Sequence, residues 1–306
     1  MSLALLFPGQ GVQHPDMLRW LDAETGAAAC LAALAQHLGP DWRARVGDDA
    51  WASSNRIAQP LITGTSLAAW RALAPRLPAP VVVAGYSVGE LAACSAAGVF
   101  DAVDALKLAQ RRAAEMDRAS NADEPAGLLS VSGVRDDVVD ALCTRHGLAV
   151  AIRLGVDRGV LGGTLAALNA AMPELARLGA ELKPLRVHVA SHTPMMGGAA
   201  TAFGALIAPL AWQRSSCLVA SNLDGTARRD VASIKHALGA QIDHTVQWDR
   251  CMDTVAERGP GCVLEVGPGT SLARLWAARH PDVPVRSVDE FQSAQAVVDW
   301  VRRSLA

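Results

Sequence analysis

The stretch 81–94 constrains the fold most strongly, because its character changes abruptly at one serine. The β-branched apolar run 81–84 predicts a strand, and the alanine-rich segment after the turn predicts a helix. Between them, Gly85-Tyr86-Ser87-Val88-Gly89 matches the G-x-S-x-G pattern of a nucleophile elbow. Such a sharp turn needs small neighbours on both sides, and it would expose the Ser87 hydroxyl at a helix N-terminus. The alternative is an ordinary strand-to-helix turn with a capping serine.

The composition describes an apolar globular chain and excludes several function classes. Of the 306 residues, 51% are hydrophobic and 19% are charged, and the net charge of −2 offers no general attraction for nucleic acid. The six cysteines are scattered, without a C-x-x-C pair or a Cys/His cluster at metal-binding spacing, so we expect reduced thiols and no metal site. No basic segment precedes a long apolar run and no stretch reaches membrane-spanning length. We therefore expect a cytoplasmic protein without membrane association.

A second unusual turn, Pro8-Gly9-Gln10-Gly11-Val12-Gln13, comes after the predicted apolar strand 2–7. Its glycines permit unusual backbone angles, but there is no third glycine at the spacing of a dinucleotide-binding fingerprint. From the residues alone, this turn is either a plain strand-to-helix connection or part of a functional site.

Among the helices that the sequence predicts, two carry specific expectations. Apolar residues recur at helical spacing over 17–38, which predicts one long helix there. Asp101 is placed to cap a later helix that contains Arg111 and Arg112, and one arginine of such a neighbouring pair usually faces solvent.

The periodicity changes after the polar break 121–125. Six elements occur there in the order strand, helix, strand, strand, helix, strand, at 128–134, 136–146, 148–154, 159–162, 165–178 and 182–189. This order is typical of a ferredoxin-like unit. The outer segments alternate strands and helices, which indicates a parallel sheet covered by helices on both faces. We therefore predict an α/β fold: an α/β-hydrolase-like large domain (1–124 and 191–306) with an inserted ferredoxin-like small domain (125–190) and a cleft between them.

A serine needs a general base to become nucleophilic near neutral pH, and histidine is the side chain best suited to that role. Eight histidines are candidates: His14, His37, His146, His188, His192, His236, His244 and His280. His192 stands out because it comes just after the predicted insertion and lies in the turn 191–194, from which it could point into the cleft. The other histidines stay open, since a single histidine is more often structural.

Seven short motifs, taken together, resemble those of the malonyl-CoA:acyl carrier protein transacylases. They occur in that family's order and extend over nearly the whole chain: 7–13, Gln59-Pro60, 85–90, Arg112 four residues before Met116, Ser191-His192, 246–248 and 265–269. The closing segment 284–303 resembles more narrowly the epsilon subunit of biotin-independent malonate decarboxylase, MdcH.

The resemblance implies roles for the elbow and its surroundings. Ser87 would attack the thioester of malonyl-CoA, and His192 would act first as general base and then as general acid to the leaving thiol. A carbonyl of the loop at Gln247 would orient the histidine, so that the pair is a dyad without a carboxylate. The backbone N–H groups of Val88 and Gln10 would form the oxyanion hole.

The resemblance also implies how the substrates are recognised. Arg112 would hold the malonyl carboxylate through a bidentate pair, for which its planar fork is suited, and Gln59 would line the pocket. The acceptor would be the phosphopantetheine-type thiol of an acyl carrier protein, here the carrier subunit of a malonate decarboxylase. The reaction would be ping-pong through a malonyl-serine ester, and no bound cofactor is implied.

Two pocket positions depart from the family pattern. Tyr86 stands where the family usually has a histidine, so the resemblance does not carry over that histidine's polar contact. Val189 stands where a bulky aromatic residue is usual, so selectivity for the acyl group rests mainly on Arg112. We expect Tyr86 and Val189 to line the pocket.

Other functions remain as alternatives. An α/β-hydrolase esterase shares the elbow but needs serine, acid and histidine in chain order, which would recruit His244 or His280 and leave Arg112 without a role. A non-catalytic scaffold that only binds a carrier protein is a further class. Among transacylases, fatty-acid or polyketide synthesis is the alternative to malonate decarboxylation.

Overall fold

The computed structural model describes residues 2–121 and 123–306. Met1 and Ala122, which belong to the predicted large domain and its polar break, lie outside the described residues. The strands are β1 (Ser2–Phe7), β2 (Pro80–Gly85), β3 (Ala126–Ser132), β4 (Ala149–Gly155), β5 (Arg158–Thr164), β6 (Glu181–Pro184), β7 (Leu218–Ala220), β8 (Ala227–Arg228), β9 (Val246–Gln247), β10 (Pro260–Glu265) and β11 (Val285–Ser287). The helices are α1 (Ala28–Leu38), α2 (Trp42–Arg45), α3 (Asp49–Ser53), α4 (Asn55–Leu73), α5 (Gly89–Ala96), α6 (Ala102–Ala119), α7 (Asp136–His146), α8 (Leu165–Arg177), α9 (Gly197–Ile207), α10 (Val231–Ala240), α11 (Trp248–Ala256), α12 (Ser271–Arg279) and α13 (Ala294–Leu305).

The first sheet contains six strands in the order β11-β10-β1-β2-β7-β8. Neighbouring strands are parallel except for β7 and β8. β1 is apolar on both faces, as a central parallel strand requires. Leu5 packs into the core on the side of α4 and α6, whereas Leu6 packs into the core on the side of α11 and α12. The predicted mixed α/β fold with a parallel sheet is confirmed.

The second sheet has the order β6-β3-β5-β4-β9. The pairs among β3, β4, β5 and β6 are antiparallel, and α7 and α8 bury the apolar face of these strands. The edge strand β9 pairs in parallel with β4, with Ile152 opposite Val246 and Arg153 opposite Gln247. Because β9 lies outside the predicted insertion 125–190, the second sheet takes one strand from the chain that has returned to the first unit.

The last strand of the insertion is shorter than the sequence predicts. It ends at Pro184 and not at residue 189. The Leu185 N–H still donates to the Leu128 carbonyl, but Arg186 forms an ion pair with Asp49 of α3 and the chain leaves the sheet.

The prediction of one helix over 17–38 is wrong in its first half. Two short 3-10 helices occupy residues 19–23 and 25–27, and only α1 is α-helical. Gly26 lies directly against α4, where a Cβ atom would come within 3.0 Å of the Ala72 Cα. The interruption itself lies at Glu24, which has an extended backbone with φ of −100° and ψ of 112° between the two 3-10 helices.

The helix α6 contains Arg111 and Arg112 and packs into the core on one face of the first sheet. Asp101 caps it as predicted, accepting a hydrogen bond from the Asp104 N–H at 2.8 Å. α6 packs against α4 and α9, so that Arg112 is buried while Arg111 is exposed. No helix in the described part of the chain is long and apolar enough to cross a membrane.

Candidate active site

Ser87 lies at the tight turn between β2 and α5, in a left-handed backbone conformation with φ of 53°. The flanking glycines are required by contact distances. A Cβ atom on Gly85 would lie 2.1 Å from the Gly89 carbonyl carbon, and one on Gly89 would lie 2.3 Å from the Phe7 oxygen. Any larger residue would force the strand end and the helix start apart. The turn therefore has the geometry that the G-x-S-x-G pattern predicts.

His192 reaches this serine from the chain just beyond the insertion. The Ser87 Oγ and His192 Nε2 atoms are 2.8 Å apart. On the other side of the ring, Nδ1 lies 2.5 Å from the Gln241 carbonyl oxygen. A carbonyl only accepts, so Nδ1 carries the proton and Nε2 is left to accept from the serine hydroxyl. Burial lowers the pKa of His192 to about 3, and the nearby Arg112 adds to this effect, so the ring is neutral at pH 7.

Arg112 lies against the same hydroxyl and is only 1% exposed. Its guanidinium donates to Gln59 Oε1 at 2.8 Å, to Gln241 Oε1 at 3.2 Å and to Ser87 Oγ at 3.3 Å. Among the described residues, no carboxylate lies within salt-bridge distance of it, and its Nε has no hydrogen-bond partner. Burial lowers the pKa of Arg112 to about 10, so it remains a buried cation at pH 7.

The turn 8–13 lies directly on the elbow. A Cβ atom on Gly9 would come within 2.8 Å of the Tyr86 carbonyl oxygen, which shows how closely the two backbones approach. Val88 immediately precedes α5, where N–H groups have no helical acceptor. The N–H groups of Val88 and Gln10 donate to no other residue in the described ranges. Two backbone donors, one in the elbow and one in the turn packed against it, thus have no acceptor within the described residues.

The two remaining pocket candidates line different cavities. Tyr86 lines a cavity of about 480 Å³ between the turn 8–13, the segment 183–187 and the start of α12. Its ring meets the edge of Trp248 at a centroid distance of 5.2 Å, and burial raises its pKa. Val189, which is 3% exposed, lines a second cavity of about 470 Å³ together with Asp117 and Met196.

The other histidines that an esterase would recruit do not contact Ser87. His244 is exposed and contacts Asp243 and the Ala240 carbonyl. His280 lies beside Asp253 and packs against Trp276. Of the eight histidines, His192 is the one hydrogen-bonded to the elbow.

Comparison with known proteins agrees with this arrangement. Residues 4–303 match the family model described as an acyl transferase domain. A malonyl CoA-acyl carrier protein transacylase of Mycobacterium tuberculosis is 35% identical over 293 residues, which cover 94% of this chain and 96% of that protein. The chain belongs to the malonyl-CoA:acyl carrier protein transacylase family.

Solved structures of this transacylase family have the same fold. The malonyl-CoA:acyl carrier protein transacylase of Xanthomonas oryzae matches with a TM-score of 0.90 at 30% identity, over 98% of each chain. A malonyl-transacylase in complex with its type II polyketide-synthase acyl carrier protein matches with a TM-score of 0.90 at 26% identity. That match covers 98% of this chain and 99% of the other.

The predicted orienting residue is wrong: the acceptor for His192 is the carbonyl of Gln241, and not that of Gln247. Gln241 comes directly after α10, where helix carbonyls lack intrahelical donors and are available to other groups. Gln247 lies instead in β9, where its N–H donates to the Asn222 carbonyl at 2.8 Å. Gln241 and Gln247 lie at the two ends of one short connection. Which of its carbonyls faces His192 depends on long-range packing.

Sequence reasoning also missed two further polar residues of this transacylase site, Asn222 and Glu90. Asn222 is fully buried and its side chain bonds to the backbone of the elbow. Glu90 is 1% exposed and bonds to Asn222 and Gln241. An acidic residue at the start of an otherwise apolar helix could have indicated that Glu90 has a role in the site. For Asn222, the sequence indicates only a turn. Among the described residues, no group of three or more His, Cys, Asp or Glu side chains could hold a metal ion.

Proposed function

We propose that this chain transfers a malonyl group from malonyl-CoA to the phosphopantetheine-type thiol of an acyl carrier protein, through a malonyl ester on Ser87. Its family membership supports acyl transfer. Relatives named malonyl CoA-acyl carrier protein transacylase, and a related enzyme solved with its acyl carrier protein, support this donor and this acceptor.

The observation that carries the choice of acyl group is the buried cation at Arg112. A buried guanidinium without a carboxylate partner is costly unless an anion pairs with it during function. Its Nη2 lies 3.3 Å from the Ser87 oxygen that would carry the acyl group. A malonyl ester has a carboxylate a short distance from the ester carbon, so it can form charge-assisted hydrogen bonds with Arg112. An acetyl ester would leave the cation unpaired.

The first half-reaction is determined by the hydrogen bonds around Ser87. His192 Nε2 accepts the hydroxyl proton as Oγ attacks the thioester carbon. The negative charge that develops on the thioester oxygen is stabilised by the N–H groups of Val88 and Gln10. The carbon–sulfur bond then breaks, and the proton on His192 passes to the departing CoA sulfur. The Gln241 carbonyl stabilises the transient imidazolium through Nδ1–H.

The second half-reaction reverses these steps with a different thiol. His192 takes the proton from the carrier-bound thiol, whose sulfur attacks the malonyl ester carbon. The ester bond breaks and the proton returns to Ser87 Oγ. Atoms and charge balance without a bound cofactor or metal, so Ser87 and His192 act as a dyad.

The pathway is a separate question. The resemblance of segment 284–303 predicts the malonate decarboxylase branch, with its dedicated carrier subunit. The relatives that match this chain are named as transacylases, and one is solved with a polyketide carrier protein, which favours fatty-acid or polyketide synthesis. The decarboxylase branch stays a prediction for the closing segment alone.

We further propose that the first unit is α/β-hydrolase-like and that residues 125–190 form a ferredoxin-like subdomain. The parallel strands β10, β1, β2 and β7 support the first description. The order β6-β3-β5-β4, with two helices on one face, supports the second.

The deciding experiment measures the covalent ester on Ser87 by rapid quench and intact mass, with malonyl-CoA and acetyl-CoA as donors. The wild-type chain should form a malonyl ester and pass it to a holo-carrier protein faster than water removes it. Arg112→Ala should lose malonyl transfer by about 100-fold, the worth of its charge-assisted hydrogen bonds, and acetyl transfer much less.

The exposed neighbour provides the matched control. Arg111→Ala should leave both donors unaffected, because Arg111 faces solvent on α6. Hydrolysis of the ester without transfer to the carrier would favour the esterase alternative. Equal losses for both donors in Arg112→Ala would overturn the assignment of the carboxylate-binding residue.

A further inference from the structure

Glu90 is a buried carboxyl group that the transfer mechanism does not use. It lies in the first turn of α5, three residues after Ser87, and is 1% exposed. It has no salt bridge within the described residues. Both of its oxygens accept hydrogen bonds: Oε1 from the Asn222 N–H at 3.1 Å and Oε2 from Gln241 Nε2 at 3.2 Å. Burying a carboxyl without an ion-pair partner is unfavourable, so its hydrogen bonds must offset that cost.

Gln241 connects Glu90 to His192 and Arg112 through hydrogen bonds. The Gln241 carbonyl holds His192 Nδ1, and its Oε1 accepts from Arg112. Its Nε2 donates to Glu90 and to the Ser87 carbonyl. Gln241 is fully buried, so no water can replace these contacts if it shifts.

Asn222 connects Glu90 to the turn that contains Ser87. Asn222 Oδ1 accepts from the Ser87 N–H at 2.8 Å, and its Nδ2 donates to the Gly85 carbonyl at 2.6 Å. These two bonds hold both sides of the turn in which Ser87 has a positive φ. Holding a left-handed serine in place requires such surrounding contacts.

We propose that Glu90 is a positioning residue whose two carboxyl oxygens fix Gln241 and Asn222, and through them the mutual placement of Ser87, His192 and Arg112. This inference rests on the proposed function for its substrate but not for its geometry. Glutamine has nearly the same shape as glutamate. Its NH₂ group, however, would face one of the two N–H groups, of Asn222 or of Gln241, from which Glu90 accepts a hydrogen bond. Glu90→Gln should therefore displace Gln241 or Asn222 without opening a cavity.

The test compares Glu90→Gln with Glu265→Gln. Glu265 is equally buried and also accepts two N–H groups, from Leu272 and Ala273, but makes no contact with Ser87 or His192. Misplacement of reacting groups by about 1 Å lowers rates by about 100-fold. We expect Glu90→Gln to lower the kcat of ester formation by about this factor for both donors, with a smaller change in KM. Glu265→Gln should keep the wild-type kcat.

A second measurement does not depend on malonyl-CoA. Phenylmethylsulfonyl fluoride labels a serine activated by its histidine, so its rate of reaction with Ser87 reports on the dyad alone. That rate should fall in Glu90→Gln and not in Glu265→Gln. If wild-type protein reacts with the sulfonyl fluoride but not with malonyl-CoA, the proposed donor fails and the positioning role is still measured.

Two results would overturn the inference. One is a wild-type rate of labelling and of ester formation in Glu90→Gln. The other is a loss in both Glu90→Gln and Glu265→Gln that tracks their melting temperatures, since that pattern is expected of a purely structural carboxyl.

Discussion

The nucleophile side and the acyl-binding side of the site are held in place by different means. Ser87 and His192 both have positive φ, and backbone contacts at Gly85, Gly89 and Gln241 hold them. Arg112 lies on a regular helix and is held by side-chain oxygens, those of Gln59 and Gln241. The two sides meet at Ser87 Oγ and share Gln241, whose carbonyl accepts from His192 and whose Oε1 accepts from Arg112.

This difference should separate the residues that determine the rate of the reaction from those that determine which acyl group is accepted. Positions fixed by the backbone tolerate few substitutions, because a change moves the main chain of two elements at once. Positions fixed by side chains can change one contact at a time and leave the fold intact. We therefore expect substitutions on the nucleophile side to affect all donors, and those on the acyl-binding side to affect mainly carboxylated donors.

The largest effect should come from His192→Ala. Removing the general base should slow ester formation on Ser87 by about 10²–10⁴-fold with malonyl-CoA and acetyl-CoA alike. Rapid-quench intact mass measures both rates. His244→Ala, which removes an exposed histidine, should leave them unchanged. A loss confined to malonyl-CoA would break the proposed division between the two sides.

Gly89→Ala should show how much stability depends on the close backbone contacts of the nucleophile side. The added Cβ would lie 2.3 Å from the Phe7 oxygen and 2.5 Å from the Pro8 oxygen, so the free energy of unfolding should fall by about 3 kcal/mol. Gly204→Ala, in α9 with no atom within 4 Å of its Cβ, should instead stabilise by up to about 1 kcal/mol. Urea titration of both variants measures the contrast. Equal stability of the two would contradict the steric account of the elbow.

Gln59→Ala should have a smaller and more selective effect. It removes the acceptor that holds one Arg112 nitrogen at 2.8 Å, so the arginine becomes less well placed for a carboxylate. The KM for malonyl-CoA should rise by about tenfold, the worth of one hydrogen bond to a charged group, and the kcat for acetyl-CoA should not change. Gln295→Ala, at an exposed position of α13, is the control. A fall in acetyl kcat would show that Arg112, through its contact with Ser87 Oγ, also places the nucleophile.

The smallest effect concerns Glu265, whose side chain bonds to Leu272 and Ala273 and makes no hydrogen bond to Ser87, His192 or Arg112. Burial raises its pKa to about 8 from 4.5, so the folded chain keeps a proton that the unfolded chain has released. Stability from this group is present below pH 4.5 and is lost as pH rises to about 8. The melting temperature of wild type should therefore drop more between pH 5.5 and 8.5 than that of Glu265→Gln. The opposite order would mean that the carboxylate is stabilised in the folded chain.

Local patterns in the sequence predict the elbow, the parallel sheet and the six elements of the insertion. The glycines around Ser87 and the apolar run of β1 are sufficient because their causes lie within a few residues. Two other features depend on what packs against each helix, which is a property of the folded chain: which of Arg111 and Arg112 is buried, and the break at Glu24.

Long-range hydrogen bonds explain what the sequence could not predict. Gln241 and Asn222 meet Ser87 across more than a hundred residues of chain, and neither lies in a pattern that indicates an orienting group. The sequence indicates the loop containing Gln247, yet which of its carbonyls faces His192 depends on where α10 ends.

The edge strand β9 has a mechanical consequence. It is hydrogen-bonded to β4 in the second sheet and comes shortly after Gln241, whose carbonyl holds His192. The residues 241–247 therefore connect the second sheet to the general base. The pairing of β9 with β4 fixes one end of this segment, and the contact with His192 lies at its other end.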